Sequence, residues 1–168
     1  MMLGWYQHNQ VEQLSLKLAA ERGHQAEQLL VKPTLGNLFL WRSVYLYNNT
    51  FYVDAIRLSP LSGQTEIFPG SSIARFYPDK HDLDIAEDST LQKDINRFSS
   101  FTSNYLALHP QRENIIIDVR YANLPNSTLP LWGIQFDPQK PESHASYHLY
   151  RDASKTTREN FLAMLLNR

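Results

Sequence analysis

Within residues 7–22, Val11, Leu14 and Leu18 recur at i, i+3 and i+7, and the stretch contains neither Pro nor Gly. That pattern predicts an amphipathic helix stopped by Gly23. A short strand is expected over residues 26–32, ending before Pro33. The runs LFLWRSVYLY and TFYVDAIRL, rich in β-branched and aromatic residues, are separated only by Asn48 and Asn49. Asparagine tolerates positive φ, so the pair predicts a tight hairpin. A turn at SPLSGQ leads into TEIF, with more strand near SIARFY, and the polar residues 78–88 are expected to be a loop.

Ser89 and Gln92 have capping-box spacing, and Leu91, Ile95, Phe98, Thr102 and Tyr105 trace one face of a second helix that ends before Pro110. NIIIDVRY, LPLWGIQFD and ASYHLYR read as strands, the last two joined by the polar PQKPESH. The stretch SKTTRENFLAMLLNR reads as a third helix, with Thr156 and Glu159 at capping-box spacing and Phe161, Leu162, Leu165 and Leu166 on its apolar side. Three helices among six to eight strands with hairpin-length links favour antiparallel pairing. The expected architecture is α+β, a mostly antiparallel sheet with its helices mainly on one face. It forms one domain over residues 1–168, with a leading helix (1–23) and an α+β body (24–168).

Composition narrows the chemistry. The 168 residues carry 16 basic and 17 acidic side chains, a net charge of −1, with no basic block to suggest a nucleic-acid partner. The absence of cysteine excludes disulfides, thiolate chemistry and Cys-ligated zinc. No stretch reaches the roughly 18 apolar residues of a membrane span, and MMLGWYQHNQ lacks the features of a signal peptide. Trp5 and Tyr6 suit either a membrane interface or packing of the helix end on the sheet.

No catalytic motif stands out, and catalytic residues are not identified. There is no G-x-S-x-G elbow, and with 6 glycines there is no Gly-rich phosphate loop. His144 and His148, four apart in a strand, would stand roughly 13 Å apart, too far to share one metal. His8, His24, His81 and His109 show no carboxylate at ligand spacing, so no metal site is expected in this chain.

Charges among strand residues are more informative. Asp118 and Arg120, two apart, share a strand face and can pair. Folding about Asn48 and Asn49 brings Arg42 opposite residue 55; strict register then puts Arg42 and Asp54 on opposite faces, and a one-residue bulge would bring them together. Two readings follow. The charges pair to fix a half-solvated sheet, or Trp41, Arg42, Arg120, Tyr121 and Trp132 rim a concavity for an anion or head group.

ERGH, VKPTLGNLFLWRSVY, FYVDAIR, DINRFSSF, DVRYANLP and PLWGIQF, in that order over residues 9–166, resemble the soluble C-terminal region of the inner-membrane metal-dependent hydrolases of the YdjM-like group. The most specific element is Pro-x-x-x-Asn-x-x-x-Trp-Arg, carried by Pro33, Asn37, Trp41 and Arg42. The resemblance implies a hydrolase parent in the bacterial inner membrane. Its divalent metal is held by membrane helices bearing His-Arg followed closely by Thr-His, and this sequence contains neither pair. By that resemblance the chain is an accessory domain without its own cofactor, its partner is the membrane half of the parent, and residues 3–6 follow the last span. The alternative is a non-catalytic module that binds a protein or lipid head group. Arg42 then has two candidate roles: pairing with a strand carboxylate beneath Trp41, or facing the membrane half to bind a charged group.

Overall fold

The computed structural model describes residues 2–59, 63–79, 83 and 85–166. Part of the SPLSGQ turn, part of the expected loop 78–88, and His81 lie outside the described residues. The fold is α+β, and the described residues form three helices and eight strands in two four-stranded sheets. The class and strand number agree with the sequence pattern, but the strands divide between two sheets instead of continuing as one. They belong to two compact units, one made of Met1–Ile73, Asn123–Thr128 and Asp152–Arg168, the other of Ala74–Ala122 and Leu129–Arg151.

In the first unit, α1 (Met2–Glu21) precedes β1 (Gln28–Pro33), β2 (Leu40–Tyr47), β3 (Thr50–Leu58) and β4 (Thr65–Ala74), which lie side by side in that order. Gly23, at φ +75°, ends α1 in a Schellman arrangement: its N–H donates to Ala20 and that of His24 to Ala19. Asn48 and Asn49 both adopt positive φ, so the two-residue turn matches the twist of the strands it joins. Register is strict, with Arg42 opposite Ala55 and Ser43 opposite Asp54.

Strict alternation gives the sheet two faces. On one, Trp41, Ile56, Leu58 and Val31 bury Val11 of α1. On the other, Leu40 and Ala55 pack against Met164 of α3 (Lys155–Leu166), flanked by Phe68, Leu124, Phe161 and Leu165. The helices of this unit therefore cover opposite faces of the sheet, correcting the expectation that helices gather on one. Each large apolar side chain buried this way contributes about 1.5–3 kcal/mol. The third helix is also capped earlier than its sequence pattern indicates: Ser154, and not Thr156, accepts the Thr157 N–H. Gly70 in β4 is forced by contact, because a Cβ there would collide with the carbonyl oxygens of Val53 and Asn126.

The second unit pairs β5 (Leu106–Leu108), β6 (Ile115–Asp118), β7 (Trp132–Gln135) and β8 (Ser146–Leu149) antiparallel, in chain order. α2 (Thr90–Phe101) starts where Ser89 accepts the Gln92 N–H and buries Leu91, Ile95 and Phe98 against Leu106, Ile116, Ile134 and Phe136. Tyr105 lies past the helix end rather than on its face. Thr102 is the C-cap, and Ser103 and Asn104 at positive φ turn the chain into β5.

His109, just after β5, is buried against the Tyr150 ring, and its Nδ1 accepts the Gln111 N–H at 3.1 Å. Protonating Nδ1 would remove that acceptor. Burial, then the nearby Arg112 cation, hold its pKa below the ordinary 6.5. The unfolded chain therefore takes up this proton at a higher pH than the folded one does. The contribution to stability is present above pH 6.5 and lost as pH falls through 6.5 toward the folded value. His109→Asn keeps an acceptor for Gln111 but does not titrate. Urea denaturation at about pH 5 and pH 8 should show a smaller acid loss of stability in His109→Asn than in the parent. An unchanged loss would remove His109 from the acid response.

Candidate functional site

The residues singled out from the sequence divide between the units: Trp41, Arg42 and Asp54 in the first, Asp118, Arg120, Tyr121 and Trp132 in the second. Trp41 and Arg42 are consecutive in β2 and project to opposite faces, so they do not line one surface. The Trp41 ring is buried toward α1, with His8 edge-on to it at 6.0 Å, and its Nε1–H donates to the Leu38 carbonyl at 2.9 Å. The motif around it builds the turn from β1 to β2. Asn37 Oδ1 accepts the N–H groups of Phe39 and Leu40, and its amide donates to Thr34 Oγ1 at 2.7 Å.

Arg42 is 6% exposed, on the face that α3 covers. Its Nη1 donates to the carbonyls of Pro125 and Ser127, each at 2.9 Å, and more weakly to that of Leu124 at 3.4 Å. The expected bond to Asp54 gives way to this one, because no bulge interrupts the register and the two side chains stay on opposite faces. Arg42 thus holds residues 124–127 against the sheet. Guanidinium suits this task, since it presents several donors and stays charged when desolvated.

Asp54, on the α1 face, takes a bidentate pair from Arg22 at 2.7 and 2.8 Å and the Gly70 N–H at 3.2 Å. Arg22 also donates to the Tyr45 hydroxyl at 3.2 Å, which lies 2.9 Å from His24 Nδ1. Arginine only donates, so the Tyr45 oxygen accepts from it. The His24 ring stacks on Tyr47 at 4.4 Å and Tyr45 on Tyr52 at 5.1 Å. The bond with Asp54 raises the Arg22 pKa further above its ordinary value; burial raises that of Tyr45, partly offset by Arg22. Sequence reasoning missed Arg22, His24, Tyr45 and Tyr52. One signal was available: a Gly that ends a helix in a left-handed turn leaves its neighbours directed back at the sheet, on the face that register assigns to Asp54.

In the second unit, Asp118 and Arg120 do pair. Arg120 Nε and Nη2 reach the two carboxylate oxygens at 2.9 and 2.8 Å, and its backbone N–H donates to Oδ1 at 3.0 Å. That last bond turns the chain, which is why β6 stops at Asp118 although the apolar pattern continues. Trp132 Nε1–H donates to the same carboxylate at 3.1 Å, and Tyr121 lies on Trp132 with ring centres 4.4 Å apart. Arg120 also donates to the Phe101 carbonyl at 3.0 Å, and its pKa is raised, chiefly by the bond to Asp118. With its carboxylate fully buried, this cluster is a closed network.

One opening in this unit is a groove of about 480 Å³ beside α2, lined by Phe98, Phe101, Ile134 and Tyr147 with Asp94 and His144 at its polar end. Asp94 is already engaged, accepting from Arg97 at 3.2 Å and the Ala145 N–H at 3.1 Å and lying 2.8 Å from His144 Nδ1. His8, assigned no carboxylate on spacing, does have one: Glu12 is one helical turn away at 3.9 Å. Among the described residues, no three of His, Asp and Glu converge as a metal would require.

No family model, curated protein or solved structure matches the chain, so the hydrolase resemblance rests on the quoted residues alone.

The Arg42 bonds give a direct expectation for stability. Arg42→Ala strands buried carbonyls and should cost about 2–4 kcal/mol, read as a clear drop in melting temperature. Arg97→Ala, which removes an exposed pair, should melt within a degree or so of the parent. An Arg42→Ala protein that melts like the parent would sink the clamp and return Arg42 to the ligand-binding candidates.

Proposed function

We propose that this chain is a non-catalytic accessory domain of a membrane-bound, metal-dependent hydrolase, and that the metal site belongs to a membrane-embedded part of the parent protein. The observation that carries the reading is what the most specific motif does. Asn37 and Trp41 close the turn between β1 and β2, while Arg42 spends its Nη1 donors on backbone carbonyls. A motif used this way maintains a shape; it does not present a reactive group. The Asp54 and Asp118 carboxylates are likewise committed to Arg22 and Arg120.

Attachment to a membrane part is supported at the start of α1. Trp5 is 70% and Tyr6 63% exposed, and this aromatic pair suits the bilayer interface. No helix among the described residues is long and apolar enough to cross a membrane. On this reading α1 leads out of the interface, and the sheet it packs on shapes access to a site held elsewhere.

The reading frame encoding the chain provides the first test. Upstream hydrophobic spans with closely spaced His-Arg and Thr-His pairs are expected, and a frame without them would remove the accessory role and leave a binding module. On the protein itself, calorimetric titration with Zn²⁺ and Mn²⁺ should give no stoichiometric heat. Stoichiometric binding that disappears when a histidine is replaced would move the metal into this chain and overturn the assignment.

A further inference from the structure

We infer that a polar pocket of the second unit, between the segment after β4 and the last turns of α2, binds a small hydroxylated monocarboxylate. The pocket holds about 380 Å³ and is lined by Arg75, Tyr77, Asp79, Asn96, Ser99 and Asn104, among others. That volume falls within the about 300–1,000 Å³ of small-molecule sites. Its floor is fixed: Arg75 is bridged to Ala107, and the Phe76 N–H donates to the Leu106 carbonyl at 2.8 Å.

Donors and acceptors in the pocket define what it can hold. The Arg75 guanidinium lies 4.5 Å from the centre of the Tyr77 ring, and its Nε is shut off from water with no hydrogen-bond partner. Nε, out of the reach of water, is out of a ligand's reach too, so an incoming oxygen meets the guanidinium at its outer Nη donors and its charge. The neighbouring amides point the same way. Asn104 Oδ1 accepts from Ser99 at 2.7 Å and Asn96 Oδ1 from Gln92 at 3.1 Å, so each amide has its NH₂ left to donate. The carbonyls of Phe98, Ser99 and Ser100 are already taken by the N–H groups that follow the helix. The pocket therefore offers donors from Arg75, Asn96 and Asn104, and its occupant must supply oxygen acceptors.

Charge selects among oxygen-rich ligands. Arg75 balances one negative charge. Asp79 on the pocket wall and the carbonyl end of α2 both oppose a second, which disfavours a phosphate dianion. A carboxylate on Arg75, with hydroxyl oxygens toward the two asparagine amides, satisfies all three donors. This site is separate from the Trp41–Arg42 motif and does not depend on the hydrolase reading.

The test is an NMR titration of the intact chain with lactate, and in parallel with inorganic phosphate at matched ionic strength. Lactate should shift the Arg75 Nε–H and the Asn96 and Asn104 side-chain amides saturably, and more tightly than phosphate does. Arg75→Gln and Asn104→Asp should each weaken lactate by about tenfold or more. Asn104→Asp keeps the acceptor for Ser99 and tolerates the φ of 64° at that position, so it reads binding even where the Arg75 variant fails to fold. Absence of a saturable shift, tighter binding of phosphate, or undiminished lactate binding in Asn104→Asp would overturn the proposal.

Discussion

A guanidinium out of water must have oxygen around it, and in this protein Arg42 obtains that oxygen from the backbone of residues 124–127. Much of the first unit follows from this requirement. A segment remote in sequence is drawn onto β2 and held there, Leu124 joins the cluster that α3 covers, and Asn126 comes close enough to β4 that only glycine fits at position 70. Ser71 then bonds Asn126 and Thr128 across the same contact. The opposite face of the sheet is organised by a second buried charge, Asp54, which Arg22 and the Gly70 N–H satisfy together. Gly70 thus lies where two networks meet, its N–H serving one and its missing side chain the other.

Both networks bear on function through what they consume. Buried charges are costly unless paired, so strand carboxylates and arginines that look reactive in a sequence are often fully engaged once folded. Arg22 with Asp54 and Arg120 with Asp118 are such cases. The Trp-Arg motif, the most specific feature of the resemblance, acts as a turn and a clamp. Arg75 and the asparagines beside it instead line a pocket that no sequence motif marks.

What the sequence disclosed follows from how local each interaction is. The Asn48–Asn49 hairpin, the Ser89 cap and the Asp118–Arg120 pair are set by residues within a few positions of one another, and each is legible. Register even forecast that Arg42 and Asp54 face apart. Their true partners were not legible, because Arg42 reaches across more than eighty residues to carbonyls, which every residue carries and no pattern distinguishes. The end of β6 was missed for the opposite reason: the Asp118 side chain takes a backbone N–H that apolar periodicity assigns to the strand.

By bonding backbone carbonyls, the Arg42 guanidinium holds residues 124–127 on the sheet. Native-state amide exchange in Arg42→Gln, compared with the parent, measures this most directly. Ser71 and Ser127, whose N–H groups bond the Asn126 and Leu124 carbonyls, should lose protection while amides of the β2–β3 hairpin keep theirs. Unchanged protection at Ser71 and Ser127 would contradict it.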